Sequence, residues 1–218
     1  MRADFSAVFF DLDGTLADNY SAIAACIGEV LKPMGIEPPS LEKVRNTVGG
    51  SILITFEKLI GKGLAQAAAE HYQKIIADFE LEGLKPMPYS AEILMLLKSR
   101  GIKAAMLTNK AQKSAERIAR RLGFDKYLDA IFGTALNGAR KPEKAFTQNA
   151  LRAMRSPARE SLIIGDSPYD YEAARACEIE PMLVATGADG VDALRKKCPG
   201  AIVFENLEEL AKKIFATK

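Results

Sequence analysis

Four short stretches of this 218-residue chain carry residue types that can do chemistry together. Asp11 and Asp13 flank Leu12 in "FFDLDGT", directly after the apolar run 7–10. Thr108, Asn109 and Lys110 follow the apolar "AAML", and Lys141 stands immediately before Pro142. Asp166 and Asp170 fall in "GDSPYD", after "SLIIG". Several carboxylates in one place repel each other, and without compensation some of them protonate. A hard cation such as Mg²⁺ relieves this, because it takes carboxylate oxygens, waters and phosphate oxygens. A lysine, a threonine hydroxyl and the free N–H groups of helix N-termini suit an anion. Acids for a metal beside donors for an anion describe phosphoryl-transfer chemistry.

For those stretches to meet, the chain must bring the ends of several strands to one edge. Short apolar runs bounded by turn residues recur at 7–10, 103–107, 161–165, 181–185 and 201–204, each fitting a strand buried on both faces. Helical spacing fills the intervals at 90–101, 111–123, 142–155, 169–178 and 206–218. Ser90 is placed to cap the first of these helices, and Pro142 suits the opening position of the third. Strand then helix, repeated, predicts an α/β fold with a doubly wound, Rossmann-like parallel sheet, whose chemistry gathers at the carboxyl ends of the strands. Residues 17–86 break the alternation, with amphipathic segments interrupted at "PMGIEPPS", "VGGS" and "IGKG" and no evident strand. The expected organisation is a core of residues 1–16 and 87–218 with a helical cap, 17–86, joined through "LADN" and "LEGLKPMPY".

Bulk composition narrows the function classes. A formal net charge of +2 gives no electrostatic reason to bind nucleic acid or an anionic membrane, and the chain has no tryptophan for base stacking. Cys26, Cys177 and Cys198 are widely spaced and form no ligand cluster with the single histidine, His71, so they read as packing residues. With no signal peptide and no run as long as a membrane span, the chain is expected to be soluble and cytoplasmic.

"DLDGT", "TN" after an apolar strand, "KP" before a helix and "GDSPYD" occur in an order that resembles the haloacid dehalogenase superfamily, and a helical cap between the first two motifs resembles its phosphoglycolate phosphatase branch. The resemblance covers nearly the whole chain. It implies that Asp11 is a nucleophile forming an aspartyl-phosphate and that Asp13 is the general acid and base. It further implies that Mg²⁺ is held by Asp11, the Asp13 backbone carbonyl and Asp166, with Asp170 nearby. Thr108, Asn109, Lys110 and Gly14 are the expected phosphate contacts, and Lys141 offsets the charge of the reacting groups. Arg140 and Lys144 flank Lys141, which is preferred because it directly precedes the proline.

Asp13 also separates the branches, since the dehalogenase and phosphonoacetaldehyde hydrolase patterns lack it. The expected partner is a small phosphate ester such as 2-phosphoglycolate, with nucleotide and sugar phosphates behind it. A phosphomutase of the β-phosphoglucomutase type shares all four motifs, and a non-catalytic binding module has no need to keep them. In the cap, Arg45 and "VGGS" are a candidate cation and helix N-terminus for a substrate carboxylate, set against a plain interhelical turn.

Overall fold

The computed structural model describes residues 5–136 and 138–215. The first strand, β1 (Ala7–Phe10), is wholly buried, and its alternating side chains feed two separate cores. Val8 and Phe10 pack on one face of the sheet, Ala7 and Phe9 on the other. Withdrawing either phenylalanine ring from water is worth about 1.5–3 kcal/mol.

After β1 the chain makes a two-residue strand, β2 (Ala17–Asp18), then α1 (Tyr20–Leu31), α2 (Leu41–Arg45), α3 (Ile52–Ile60) and α4 (Lys62–Phe79). It returns through β3 (Lys85–Pro86), antiparallel to β2. This ribbon corrects the expectation of no strand within 17–86; two residues per strand are too few to carry a periodic signal. The interruptions at Pro33, Val48 and Gly61 fall at or beside the helix boundaries, as read from sequence. The four helices bury an apolar cluster of their own, including Ile27, Val44, Phe56 and Tyr72.

The remainder alternates: α5 (Ser90–Ser99), β4 (Lys103–Ala111), α6 (Gln112–Leu122), β5 (Ala130–Thr134), α7 (Lys144–Met154), β6 (Ser161–Gly165), α8 (Pro168–Ala176), β7 (Glu180–Val184), α9 (Val191–Lys197), β8 (Ile202–Phe204) and α10 (Leu207–Ile214). Among the described residues the main sheet is parallel throughout, in the order β5-β4-β1-β6-β7-β8. That is the doubly wound α/β fold the sequence predicts. Helices α5, α6 and α10 cover one face, and α7 and α8 the other. The winding reverses between β1 and β6, and the crevice at such a reversal is where open α/β sheets place ligands.

Three local readings need correction. Strand β5 was not evident, because it is an edge strand whose residues are mostly half-buried, without the apolar run of a central strand. Ser90 is the first residue of α5, not its cap; Tyr89 holds that position with φ +67°, and the Ser90 hydroxyl is buried without a partner. Pro142 does not open a helix, since α7 begins at Lys144 and the Lys141–Pro142 peptide is cis. Residues 216–218 of the expected last helix lie outside the described residues. No helix among the described residues is long and apolar enough to cross a membrane.

Candidate active site

The reversal point puts the end of β1 beside the end of β6, so Asp11 and Asp166 become neighbours. Asp11 continues the ladder by donating its N–H to the Ile164 carbonyl at 2.9 Å. Asp11, Asp166 and Asp170 are all at least nine-tenths buried, with carboxylate oxygens within 4.8 Å of one another. Lys141, 1% exposed, reaches them from the loop before α7, its Nζ 2.9 Å from Asp11 Oδ1 and 2.6 Å from Asp170 Oδ1. Arg140, beside it, pairs instead with Glu143.

Lys141 is held there by Asn109. The Asn109 side chain accepts from the Lys141 N–H at 2.8 Å and donates to the Lys141 carbonyl at 3.1 Å. It also donates to the Gly49 carbonyl of the helical lobe at 3.1 Å. These bonds engage both the side-chain N–H groups and the side-chain oxygen of Asn109. Thr108, Asn109 and Lys110 lie within β4 rather than after it, at an irregularity in the pairing with β5 between Leu107 and Ala111. Lys110 Nζ sits 3.3 Å from both carboxylate oxygens of Asp13.

Asp170 closes the first turn of α8 as a capping box. Its Oδ2 accepts from the Ser167 N–H at 3.1 Å and the Ser167 hydroxyl at 2.6 Å, while Oδ1 takes Lys141. Both oxygens are thus engaged with protein, so capping and membership of the acid cluster coexist. Asp166 accepts from the Thr15 hydroxyl at 3.0 Å.

Gly14 departs from its expected phosphate contact. Its N–H is spent on the Ala17 carbonyl at 2.9 Å, and its carbonyl accepts from Thr186 at 2.6 Å. What the position requires is absence of a side chain: with φ +87°, a Cβ there would stand 2.5 Å from the Tyr20 hydroxyl and 2.7 Å from Asp166 Oδ2. Thr15, Ser167, Thr186 and Gly187 are contributors that the sequence reading passed over; a Cβ at Gly187 would lie 1.7 Å from Asp166 Oδ2. The available signal was a hydroxyl and a glycine in "ATG" directly after the apolar "MLV" of β7, the pattern that marked the other strand ends.

Three carboxylates against one ammonium leave surplus negative charge, and the electrostatics register it. Burial, then the neighbouring Asp170 and Asp13 charges, raise Asp11 to about 6, despite the opposing pull of Lys141. Burial first, then Asp11 and Asp170, raise Asp166 well above the usual carboxylate range. Asp11 Oδ1 is buried without an aligned hydrogen bond, although it touches Lys141. Hard oxygen donors, a charge surplus and an unsatisfied oxygen fit a divalent cation. Since the folded-state value of Asp11 lies above its unfolded one, its ionisation opposes folding above about pH 6, and protonation relieves this as the pH falls. A cation supplies the same relief only where the acids are ionised. Millimolar Mg²⁺ is therefore expected to raise the melting temperature at pH 7.5 and to do so much less at pH 5; equal shifts at both would place the ion elsewhere.

Asp11, Asp13, Thr108, Asn109 and Lys110 line one cavity between the sheet edge and the helical lobe. Doubly wound enzymes that carry this edge form a recognisable class. A haloacid dehalogenase-like family hydrolase from Streptococcus pneumoniae shares the fold with a TM-score of 0.84, covering 96% of this chain and 99% of that one at 24% identity. The haloacid dehalogenase-like hydrolase family model matches residues 8–184, and this chain belongs to that family. A phosphoglycolate phosphatase of Aquifex aeolicus is 29% identical, over 83% of this chain and 84% of its own length. A 5′-nucleotidase of Pseudomonas aeruginosa is 30% identical, over 88% of each.

Proposed function

We propose that this chain is a Mg²⁺-dependent phosphomonoester hydrolase that works through an aspartyl-phosphate on Asp11. The observation that carries the reading is the asymmetric setting of the two acids after β1. Asp11 is buried against Lys141 and close to Asp166, whereas Asp13 lines the same cavity paired with Lys110. The names of the relatives, a phosphoglycolate phosphatase and a 5′-nucleotidase, support a phosphate ester as substrate and differ on the leaving group.

In this reading an Asp11 oxygen attacks phosphorus as the bond to the leaving oxygen breaks, and Asp13 protonates that oxygen. Asp13 then takes a proton from the water that attacks phosphorus and releases Asp11. Asp11, Asp166 and the backbone carbonyl of Asp13 would hold Mg²⁺, with Asp170 fixing Lys141 beside them. Bound there, the ion offsets the negative charge of the phosphoryl group. Lys141 supplies a second positive charge where carboxylate and phosphate meet, and Thr108 and Lys110 address the outer phosphate oxygens. Residues 17–86 act as a cap that excludes water, pivoting on the β2–β3 ribbon.

The test is p-nitrophenyl phosphate hydrolysis with Mg²⁺ and after chelation, beside Asp13→Asn. Turnover is expected only with the ion. Asp13→Asn should lose at least a hundredfold in kcat yet keep the Mg²⁺-dependent rise in melting temperature, because its contact with the ion is through the backbone. No turnover by the parent protein with Mg²⁺ present would overturn the reading.

A further inference from the structure

If Asp11 takes the phosphoryl group, the leaving group has to occupy the rest of that cavity, and the lining there has a definite chemical character. Lining that cavity together with the carboxylates are Ile23, Val48, Ile52, Ile76 and Leu136. Tyr72 and Gln73 of α4 add polar groups to this wall, as does Thr55 of α3, whose hydroxyl donates to the Ser51 carbonyl at 3.2 Å. Tyr72 is edge-on to Phe56, with ring centroids 6.1 Å apart, and burial holds its phenol well above the ordinary range, so it presents a neutral hydroxyl.

Among the described residues, no positive charge belongs to this wall. The one cation among the described residues lining the cavity is Lys110, which stands on the sheet side and is paired with Asp13 at 3.3 Å. Two cations of the helical lobe, Arg45 and Lys58, pack against rings outside this wall. The Arg45 guanidinium lies 4.7 Å from the centroid of the Tyr20 ring, and Lys58 Nζ lies 5.7 Å from that of Tyr169, beside a different cavity. The candidate cation of the "RNTVGGS" stretch therefore does not line the cavity, whereas Val48, Gly49, Gly50 and Ser51 do. Ser51 is already occupied in capping α3, its hydroxyl accepting from the Ile54 N–H at 3.4 Å.

We propose that the preferred substrates are phosphomonoesters of uncharged alcohols bearing a ring-sized apolar surface, and that small carboxylated phosphates are poor substrates. The inference rests on the phosphohydrolase reading and deepens it. A carboxylate on the leaving group would exchange water for an isoleucine wall while facing Asp11 and Asp13, with no cation on its own side to repay desolvation. A ring buries apolar area against Ile52, Ile76 and Leu136, and the Tyr72 hydroxyl and Gln73 amide remain for polar atoms at its rim.

The deciding measurement compares kcat/KM for benzyl phosphate and 2-phosphoglycolate. Both leave as alkoxides, so intrinsic leaving-group ability does not bias the comparison as phenyl phosphate would. Benzyl phosphate is expected to be favoured at least tenfold; parity, or preference for 2-phosphoglycolate, overturns the inference. Ile52 is half-buried at the start of α3, so Ile52→Arg adds a cation to the wall. It should lower the ratio at least tenfold, chiefly through KM, and an unchanged ratio in the folded variant would remove Ile52 from the wall's role. Failure of both esters while p-nitrophenyl phosphate is hydrolysed sinks the substrate inference alone. Failure of all three sinks the phosphohydrolase reading and this inference with it.

Discussion

Asp11→Asn should abolish turnover, with kcat reduced at least a thousandfold, and should not weaken the fold. The amide keeps the shape of the carboxylate but is no nucleophile toward phosphorus, and loss of a covalent nucleophile costs orders of magnitude that the remaining residues do not restore. Stability should move the other way. In the ion-free protein Asp11 sits at about 6, above its unfolded value, chiefly because burial and the acids around it disfavour its charge. Above that pH its ionisation opposes folding, so replacing it with a neutral amide should leave the melting temperature at pH 7.5 unchanged or higher. The variant should also lose most of the Mg²⁺-induced rise in melting temperature. Retention of more than about a hundredth of parent activity would exclude Asp11 as the nucleophile. A large drop in melting temperature would instead show that the carboxylate serves the fold.

Lys141→Met should fail in the opposite manner, losing activity and stability together. Methionine matches the length of the aliphatic stem, so the change isolates the ammonium. That ammonium is the contact between Asp11 and Asp170 and is 1% exposed, and both carboxylates hold it in the protonated form, above the ordinary lysine range, against the cost of burial. Breaking a buried ion pair from one side commonly costs about 3–5 kcal/mol, because the remaining charges stay buried without compensation. In a domain of this size that corresponds to a melting temperature lower by roughly 10 °C. The deficit should depend on pH with a definite sign. Burial and the acids around it already raise Asp11, and without the lysine nothing opposes them, so the folded state holds its proton more tightly than the unfolded chain does and gains stability as the pH falls. The gap between variant and parent should therefore narrow from pH 8 to pH 5. A gap that widens on acidification would contradict the charge balance drawn for the cluster. Activity should fall at least a thousandfold, since attack of an anionic carboxylate on an anionic phosphate loses its fixed positive charge.

The sequence disclosed the strand-end acids because their setting is local: an apolar run stops and a carboxylate follows. That local rule located Asp11, Asp13 and Asp166, and the proline after Lys141 marked the lysine. It did not disclose what the side chains are engaged with. The Asn109 side chain turns to the backbone N–H and carbonyl of Lys141, a relation across 32 positions that no periodicity carries. Gly14 reads as a phosphate contact, whereas its N–H bonds the Ala17 carbonyl and its bare Cα leaves room for Asp166 and Tyr20. Edge strand β5 and the ribbon β2–β3 escaped for a related reason: one is half-exposed and the other is two residues wide, so neither forms a buried apolar run. Buried, repeating elements are legible, whereas pairings set by tertiary placement are not.

The three side-chain hydrogen bonds of Asn109 have a consequence for timing. Two hold Lys141 and one reaches the carbonyl of Gly49 in the helical lobe. If the lobe swings outward to admit an ester or release phosphate, the bond to Gly49 is the one of these three that has to break. The charged centre would then stay assembled while the lid opens, ready for the next ester before the lid returns. Asn109 would act as a hasp whose fixed half never leaves the door frame.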